Sequence, residues 1–132
     1  MNNIKNNSLY QKGLETLNKI HGGHAGKSII DVMQEISPDY APMAIEWGFG
    51  EVINRPGLDL KTREIAMLAS CISLGHAVPQ LKAHIEAALN VGVTRTEVVE
   101  TIIQIAFYAG FPAATNAMYI AKEVFAADNL AV

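Results

Sequence analysis

The chain has 132 residues, of which 50% are hydrophobic and 17% are charged, and its formal net charge is −3. This length fits one domain that can bury enough surface to fold without disulfides. The ten Lys and Arg form no basic run, which argues against a nucleic-acid-binding protein. No uninterrupted apolar stretch reaches the roughly 18 residues of a membrane span.

Two further features of the composition concern location and assembly. The N-terminus, MNNIKNNSLYQKG, lacks the apolar core of a secretory signal, and a single cysteine cannot form an internal disulfide. Both features predict a cytoplasmic protein. The charged share lies below the typical value of about 25%, so we expect contacts between copies of the chain to cover part of the surface.

In the first half of the chain, helix-breaking residues separate three predicted helices at about 8–20, 27–36 and 38–53. The loop HGGH divides the first two, because glycine has little helical preference. Ser37 is predicted as the N-cap of the third helix, with Pro38 at its first position. A turn follows at 54–57, where Gly57 is expected to adopt a positive φ. Trp47 and Phe49 are expected in the core.

The second half predicts helices at about 60–74, 79–90, 95–109 and 112–126. Asp59 is the predicted cap of the first, and Thr94 with Glu97 matches a capping box before the third. No segment alternates with a period of two. From these seven segments the sequence predicts an all-α protein of about six helices, forming a single domain over 1–132, with disorder expected in residues 1–7.

The segments 60–74 and 79–90 contain the candidate catalytic residues. A short connector predicts an antiparallel hairpin, with Glu64 and Cys71 on one face of the first helix and His84 on the second. Counted from the turn, His84 lies ~8 Å in and Glu64 ~16 Å back, so their contact requires crossed helices, long side chains or a bridging water.

Each of these residues also has an ordinary structural interpretation. His84 could be a core histidine with satisfied ring nitrogens, Glu64 a solvent-facing carboxylate in a first helical turn, and Cys71 a small buried hydrophobe. His76 is expected to be exposed in the connector. His21 and His24 flank two glycines without further ligands at a recognisable spacing, so no metal site is predicted.

Three stretches, RPGLD, HIEAALNVGVT and YAGFPAA, together resemble the carboxymuconolactone decarboxylase family over about residues 8–126. The resemblance implies a compact, AhpD-like helical subunit that assembles into rings, as trimers or hexamers. The superfamily contains an alkylhydroperoxidase branch, which uses a Cys-x-x-Cys pair, a histidine four residues later and an upstream glutamate. It also contains a decarboxylase branch, which keeps the histidine and uses no thiol.

The resemblance places the chain in the decarboxylase branch. If His84 is the family histidine, the two redox sulfurs would fall at Ala77 and Gln80, where neither is present. Cys71 lies on the preceding helix without the second sulfur that an internal disulfide cycle needs. Glu64 matches the family's upstream acid within one residue.

The activity that the resemblance implies is decarboxylation of 4-carboxymuconolactone or a similar lactone acid, a step in the breakdown of aromatic compounds, without metal or cofactor. His84 and Glu64 are the expected catalytic residues, and Arg63 or Arg55 the expected partner of a substrate carboxylate. Two alternatives stay open. One is a thiol-dependent peroxidase that uses Cys71 with an external reductant, and the other is a non-catalytic oligomeric binding protein on the same fold.

Overall fold

The computed structural model describes residues 7–130, and every regular element in this range is helical. The helices, in chain order, are α1 (Ser8–His21), α2 (Ala25–Gln34), α3 (Tyr40–Ala44), a π-helix (Ile45–Val52), α4 (Leu60–Leu74), α5 (Val78–Asn90), α6 (Arg95–Ala109) and α7 (Phe111–Leu130). They fall into two compact units, one ending at Leu58 and the other beginning at Asp59. The all-α prediction is confirmed.

The first unit is organised by the packing of α1 against the π-helix. Gly13 on α1 lies so close to Ile45 that a Cβ atom there would collide with the Ile45 carbonyl oxygen. Gly50 on the π-helix approaches the backbone of Leu9 in the same way. The buried core of this unit consists of Tyr10, Leu17 and Ile45. The two helices therefore meet backbone to backbone, which only glycine allows.

The second unit is built from two helical hairpins, α4 with α5 and α6 with α7. Gly75 ends α4 in the left-handed conformation, with φ of 77°, and only three residues separate α4 from α5. The core is aliphatic, and its most deeply buried members are Leu68, Ile85, Val98 and Ile102. Branched and unbranched side chains interdigitate here, as in other well-packed helical interiors.

The predicted caps of α4 and α6 are present. Asp59 accepts a hydrogen bond from the Thr62 backbone N–H at 2.7 Å. Thr94 Oγ1 accepts from the Glu97 N–H at 3.0 Å, while Glu97 Oε2 accepts from the Thr94 N–H at 2.8 Å. The hydrogen bond from the Thr94 backbone is the main reason that the pKa of Glu97 is lowered. These bonds set the first residues of both helices, as the sequence predicts.

The predicted helix over 38–53 is wrong in its start and in its type. Helix α3 begins at Tyr40 after Asp39, and the Ser37 carbonyl oxygen accepts a turn bond from the Tyr40 N–H, so Ser37 is not the N-cap. From Ile45 onward the segment is a π-helix, with the Ile53 N–H donating to the Gly48 carbonyl at 2.9 Å. π-Helices are rare, and this one has only 8 residues, which is too short for the apolar pattern to distinguish it from an α-helix.

Other predictions for individual residues also need correction. Trp47 is 68% exposed, whereas Phe49 is partly buried against the core of the first unit. Gly57 does not adopt a positive φ; the glycines that do so within the described range are Gly22, Gly75, Gly92 and Gly110.

Two further predictions concern the ends of the chain. Helix α7 continues to Leu130, four residues past its predicted end. The predicted disorder of residues 1–6 lies outside the described residues, while Asn7 is ordered as the N-cap of α1.

The lengths and hydropathies of the helices bear on membrane insertion. Among the described residues, no helix is both long enough and apolar enough to cross a membrane.

Candidate active site

Glu64 is a buried acid in the interior of the second unit. It is the fifth residue of α4, past the first turn, and it is 1% exposed. The solvent-facing interpretation of Glu64 is therefore wrong. A carboxylate at such a depth is expensive to bury without a polar partner, so its surroundings decide what it can do.

The partner of Glu64 is His84 on α5. His84 Nδ1 lies 2.9 Å from Glu64 Oε2, which fits an N–H that donates to the carboxylate oxygen. The His84 side chain is 18% exposed, so solvent reaches the imidazole but not the carboxyl group of Glu64. The other carboxylate oxygen, Glu64 Oε1, has no hydrogen-bond partner among the described residues. Such an orphaned acceptor is rare in folded proteins and is a feature of functional sites.

The contact between Glu64 and His84 settles a question that the helical spacing left open. Along the two helices these residues differ in level by about 8 Å, measured from the turn. The distance of 2.9 Å shows that the two side chains meet directly despite this difference in level.

Cys71 lies two turns after Glu64 on the same helix and is partly buried against the core. Burial raises the pKa of the Cys71 thiol, and the negative charge of Glu64 raises it further. A thiol that stays protonated at neutral pH is a weak nucleophile. Ala77, at one position where the peroxidase branch has a redox sulfur, is buried, and Gln80, at the other, is exposed.

The two candidate carboxylate-binding arginines lie in different units. Arg63 directly precedes Glu64 on α4 and is partly buried. Arg55 lies in the turn after the π-helix and is exposed. Of the two, only Arg63 belongs to the second unit, which also contains Glu64 and His84.

The remaining histidines lie in the turns or at the end of a helix. His76 is exposed in the turn between α4 and α5, as predicted. His21 ends α1 and makes an edge-to-face contact with Phe49, their ring centroids 5.8 Å apart. His24 is exposed at the start of α2 and makes no side-chain cap there.

Sequence comparison assigns the family. A profile described as the carboxymuconolactone decarboxylase family matches residues 38–123. A 4-carboxymuconolactone decarboxylase of Acinetobacter baylyi is 34% identical over 116 residues, which cover 88% of this chain and 86% of that protein. The chain belongs to the carboxymuconolactone decarboxylase family.

Two further relatives are similar over most of their lengths. An uncharacterized 15.0 kDa protein of Paracoccus denitrificans is 36% identical over 98 residues, which are 74% of this chain and 73% of that protein. A nitrosuccinic acid decarboxylase of Metarhizium robertsii is 29% identical over 118 residues, which are 87% of this chain and 80% of that protein. Two of these three relatives are thus named as decarboxylases, which supports decarboxylase activity within the family.

Proposed function

We propose that this chain is a cofactor-independent decarboxylase that acts on 4-carboxymuconolactone or a similar lactone acid. The observation that carries the proposal is the contact between the buried Glu64 and the partly exposed His84. The name of the Acinetobacter relative supplies the substrate class, and the pair supplies the proton-transfer groups.

The substrate itself contains the electron sink that the reaction needs. When the carbon–carboxylate bond breaks, its electron pair delocalises through the ring double bond onto the lactone carbonyl, and carbon dioxide leaves. The resulting enolate must then take up one proton at carbon. The protein's tasks are to hold the substrate, to stabilise the developing oxyanion and to deliver that proton.

His84 is the proposed proton donor or oxyanion donor, because histidine titrates near working pH. In the proposed imidazolium form, Nδ1–H donates to Glu64 Oε2, and we assign the role of the acid to the imidazolium as a whole. Glu64 fixes the orientation of the ring and stabilises its charged form after the ring is reprotonated. This division of tasks follows the usual arrangement in which a buried carboxylate orients a catalytic imidazole.

Arg63 is the first candidate for binding a substrate carboxylate, and Arg55 is the second. A guanidinium group matches the two oxygens of a carboxylate with parallel N–H donors. Arg63 adjoins Glu64 in sequence and is partly buried, so a carboxylate bound there would lose part of its water. Substitution of each arginine by lysine should raise KM more than it lowers kcat if binding is its task.

The thiol-dependent peroxidase is less well supported by the second unit. Its nucleophile would be Cys71, whose pKa is raised both by burial and by the charge of Glu64. A peroxidase needs a thiolate at neutral pH, which requires a lowered thiol pKa rather than a raised one. Hydroperoxide turnover with an added thiol reductant would favour that function, and the Cys71→Ser variant should then abolish it.

The test of the decarboxylase is carbon dioxide release from 4-carboxymuconolactone, with nitrosuccinic acid as a second substrate. We expect wild-type protein to release carbon dioxide from at least the lactone. His84→Gln should reduce kcat by roughly 10²–10⁴-fold, the usual contribution of a positioned acid. Glutamine can still donate to Glu64 Oε2, so the fold of this variant should survive.

The matched control is His76→Gln, the same substitution at an exposed histidine in the turn. It should retain the wild-type rate. Full activity in His84→Gln would remove the histidine from the mechanism. Failure of folded wild-type protein to release carbon dioxide from the lactone acid would remove that substrate, and release from nitrosuccinic acid alone would identify a different acid.

The proposal also includes self-association of the chain. Phe107 on α6 and Phe111 on α7 are each 80% exposed, and Ile103 lies beside them around the same groove. An apolar patch of this kind commonly marks a protein–protein contact. Sedimentation equilibrium should find trimers or hexamers for wild type and smaller species for Phe107→Glu. A wild-type monomer at micromolar concentration would contradict the proposed assembly.

A further inference from the structure

A cavity lies beside the turn of the α4–α5 hairpin. Its volume is about 240 Å³. Helix α4 contributes Cys71 and Ile72, the start of α5 contributes Leu81, and α7 contributes Ala117 and Ile120. Cys71 follows Glu64 by seven residues, so this cavity is separated from the proposed catalytic acid by about 10 Å along α4.

The cavity exists because small residues surround it. Gly75 and Ala77 line it from the turn, and Ala113 and Ala117 line it from α7. Ala77 is one of the two positions where the peroxidase branch is expected to have a sulfur. A larger side chain at any of these four places would occupy space that is open in this chain.

The lining of the cavity determines which ligands fit. None of its lining residues is Asp, Glu, Lys or Arg. A carboxylate entering it would lose water without gaining a charged partner, so a lactone acid does not fit there. Asn116 and Tyr119 are exposed at the rim and provide an amide and a phenol for hydrogen bonds. An apolar interior with a few polar groups at its edge is the usual form of a small-molecule site.

We propose that this cavity binds a neutral small molecule with an apolar body and one hydroxyl or carbonyl group. A cavity of roughly 150 Å³ accepts benzene, so 240 Å³ has room for an aromatic ring with one or two substituents. The apolar body occupies the space between α4, α5 and α7, and its oxygen meets Asn116 or Tyr119. Neither Glu64 nor His84 lines the cavity, and its occupancy can be measured without decarboxylase activity.

Cys71 provides a direct measure of occupancy, because it is the single cysteine of the chain and lines the cavity. The rate of its alkylation by iodoacetamide is measured in mildly alkaline buffer with 4-methylbenzyl alcohol or with 4-methylbenzoate. The alcohol at about ten times its dissociation constant should slow alkylation roughly tenfold and raise Tm. The anion of the same shape should change neither quantity.

Two variants fill the cavity from different sides. Ala113→Leu fills it from α7, and Val78→Phe fills it from the start of α5, where Val78 is 43% exposed. Each should abolish the protection and the Tm increase given by the alcohol. The matched control is Ala126→Leu, which makes the same change as the first variant at an exposed position of α7 outside the cavity.

The inference is overturned if the alcohol gives no protection up to millimolar concentration, or if the alcohol and the anion protect equally. It is also overturned if protection persists in both filling variants. Competitive inhibition of carbon dioxide release by the alcohol would show that the cavity is part of the catalytic site, and the proposal of a separate binding site would then be wrong. Absence of decarboxylase activity would affect none of these readouts, because binding is followed through Cys71 and Tm.

Discussion

The two units of the chain achieve burial by different physical means. In the first, α1 and the π-helix approach so closely at Gly13 and Gly50 that backbone atoms form part of the contact. In the second, interdigitated aliphatic side chains surround an ionisable group, Glu64, that is 1% exposed. The first unit is therefore sensitive to added volume at its helix contact, and the second is sensitive to the loss of a polar partner.

This difference has a functional consequence. A glycine contact can position helices, but it presents no group that moves a proton. The second unit keeps a buried carboxyl oxygen, Glu64 Oε1, that has no hydrogen-bond partner among the described residues, and this feature is unfavourable for stability alone. Features that reduce stability are commonly retained where chemistry requires them.

The largest effect should come from removing the imidazole without replacing its hydrogen bond. His84→Leu leaves the buried carboxyl of Glu64 without its partner, which should lower the free energy of unfolding by about 3 kcal/mol. The double variant with Glu64→Leu removes both polar groups and should recover most of that loss. Urea denaturation at neutral pH, followed by circular dichroism, measures both changes.

The control for this pair of variants is His76→Leu, at an exposed position of the same hairpin. Its effect should stay within about 0.5 kcal/mol. If His84→Leu were equally mild, the carboxyl of Glu64 would be satisfied without His84. The pair would then be a packing contact rather than the electrostatic feature that separates the second unit from the first.

The elements that the sequence predicts well are those whose signal is local. Asp59 before α4 and the Thr94–Glu97 box before α6 each depend on hydrogen bonds within four residues, and the predicted first residues of both helices are confirmed. The family resemblance is confirmed in the same way, because it depends on contiguous motifs.

The features that the sequence does not predict depend on tertiary structure. The burial of Glu64 depends on the packing of α4 against its neighbouring helices, which helical spacing along the chain does not contain. The exposure of Trp47 and the π-helix depend on how α1 approaches through its glycine. The cavity beside Cys71 is lined partly by alanine and glycine, which are ordinary helix and turn residues and give no sequence signal. Whether Arg63 or Arg55 binds a carboxylate stays a prediction.

A smaller effect should come from adding one methyl group to the helix contact of the first unit. Gly13→Ala places a Cβ atom against the Ile45 carbonyl and near the Gly50 backbone nitrogen, neither of which is a flexible side-chain end. The helices must separate to accommodate it, which should destabilise the unit by about 2 kcal/mol. Trp47, the single tryptophan, lies on the π-helix, so its fluorescence follows the unfolding of this unit.

The matched substitution is Gly48→Ala on the same π-helix, where a Cβ atom would have no neighbour within 4 Å. Alanine restricts the unfolded chain more than glycine, so this variant should be neutral or stabilised by up to about 1 kcal/mol. Opposite signs for the two glycines would show that the contact, rather than glycine content, determines the stability of the first unit. Equal and small effects would mean that α1 can shift along the π-helix at little cost, and the contrast with the second unit would then disappear.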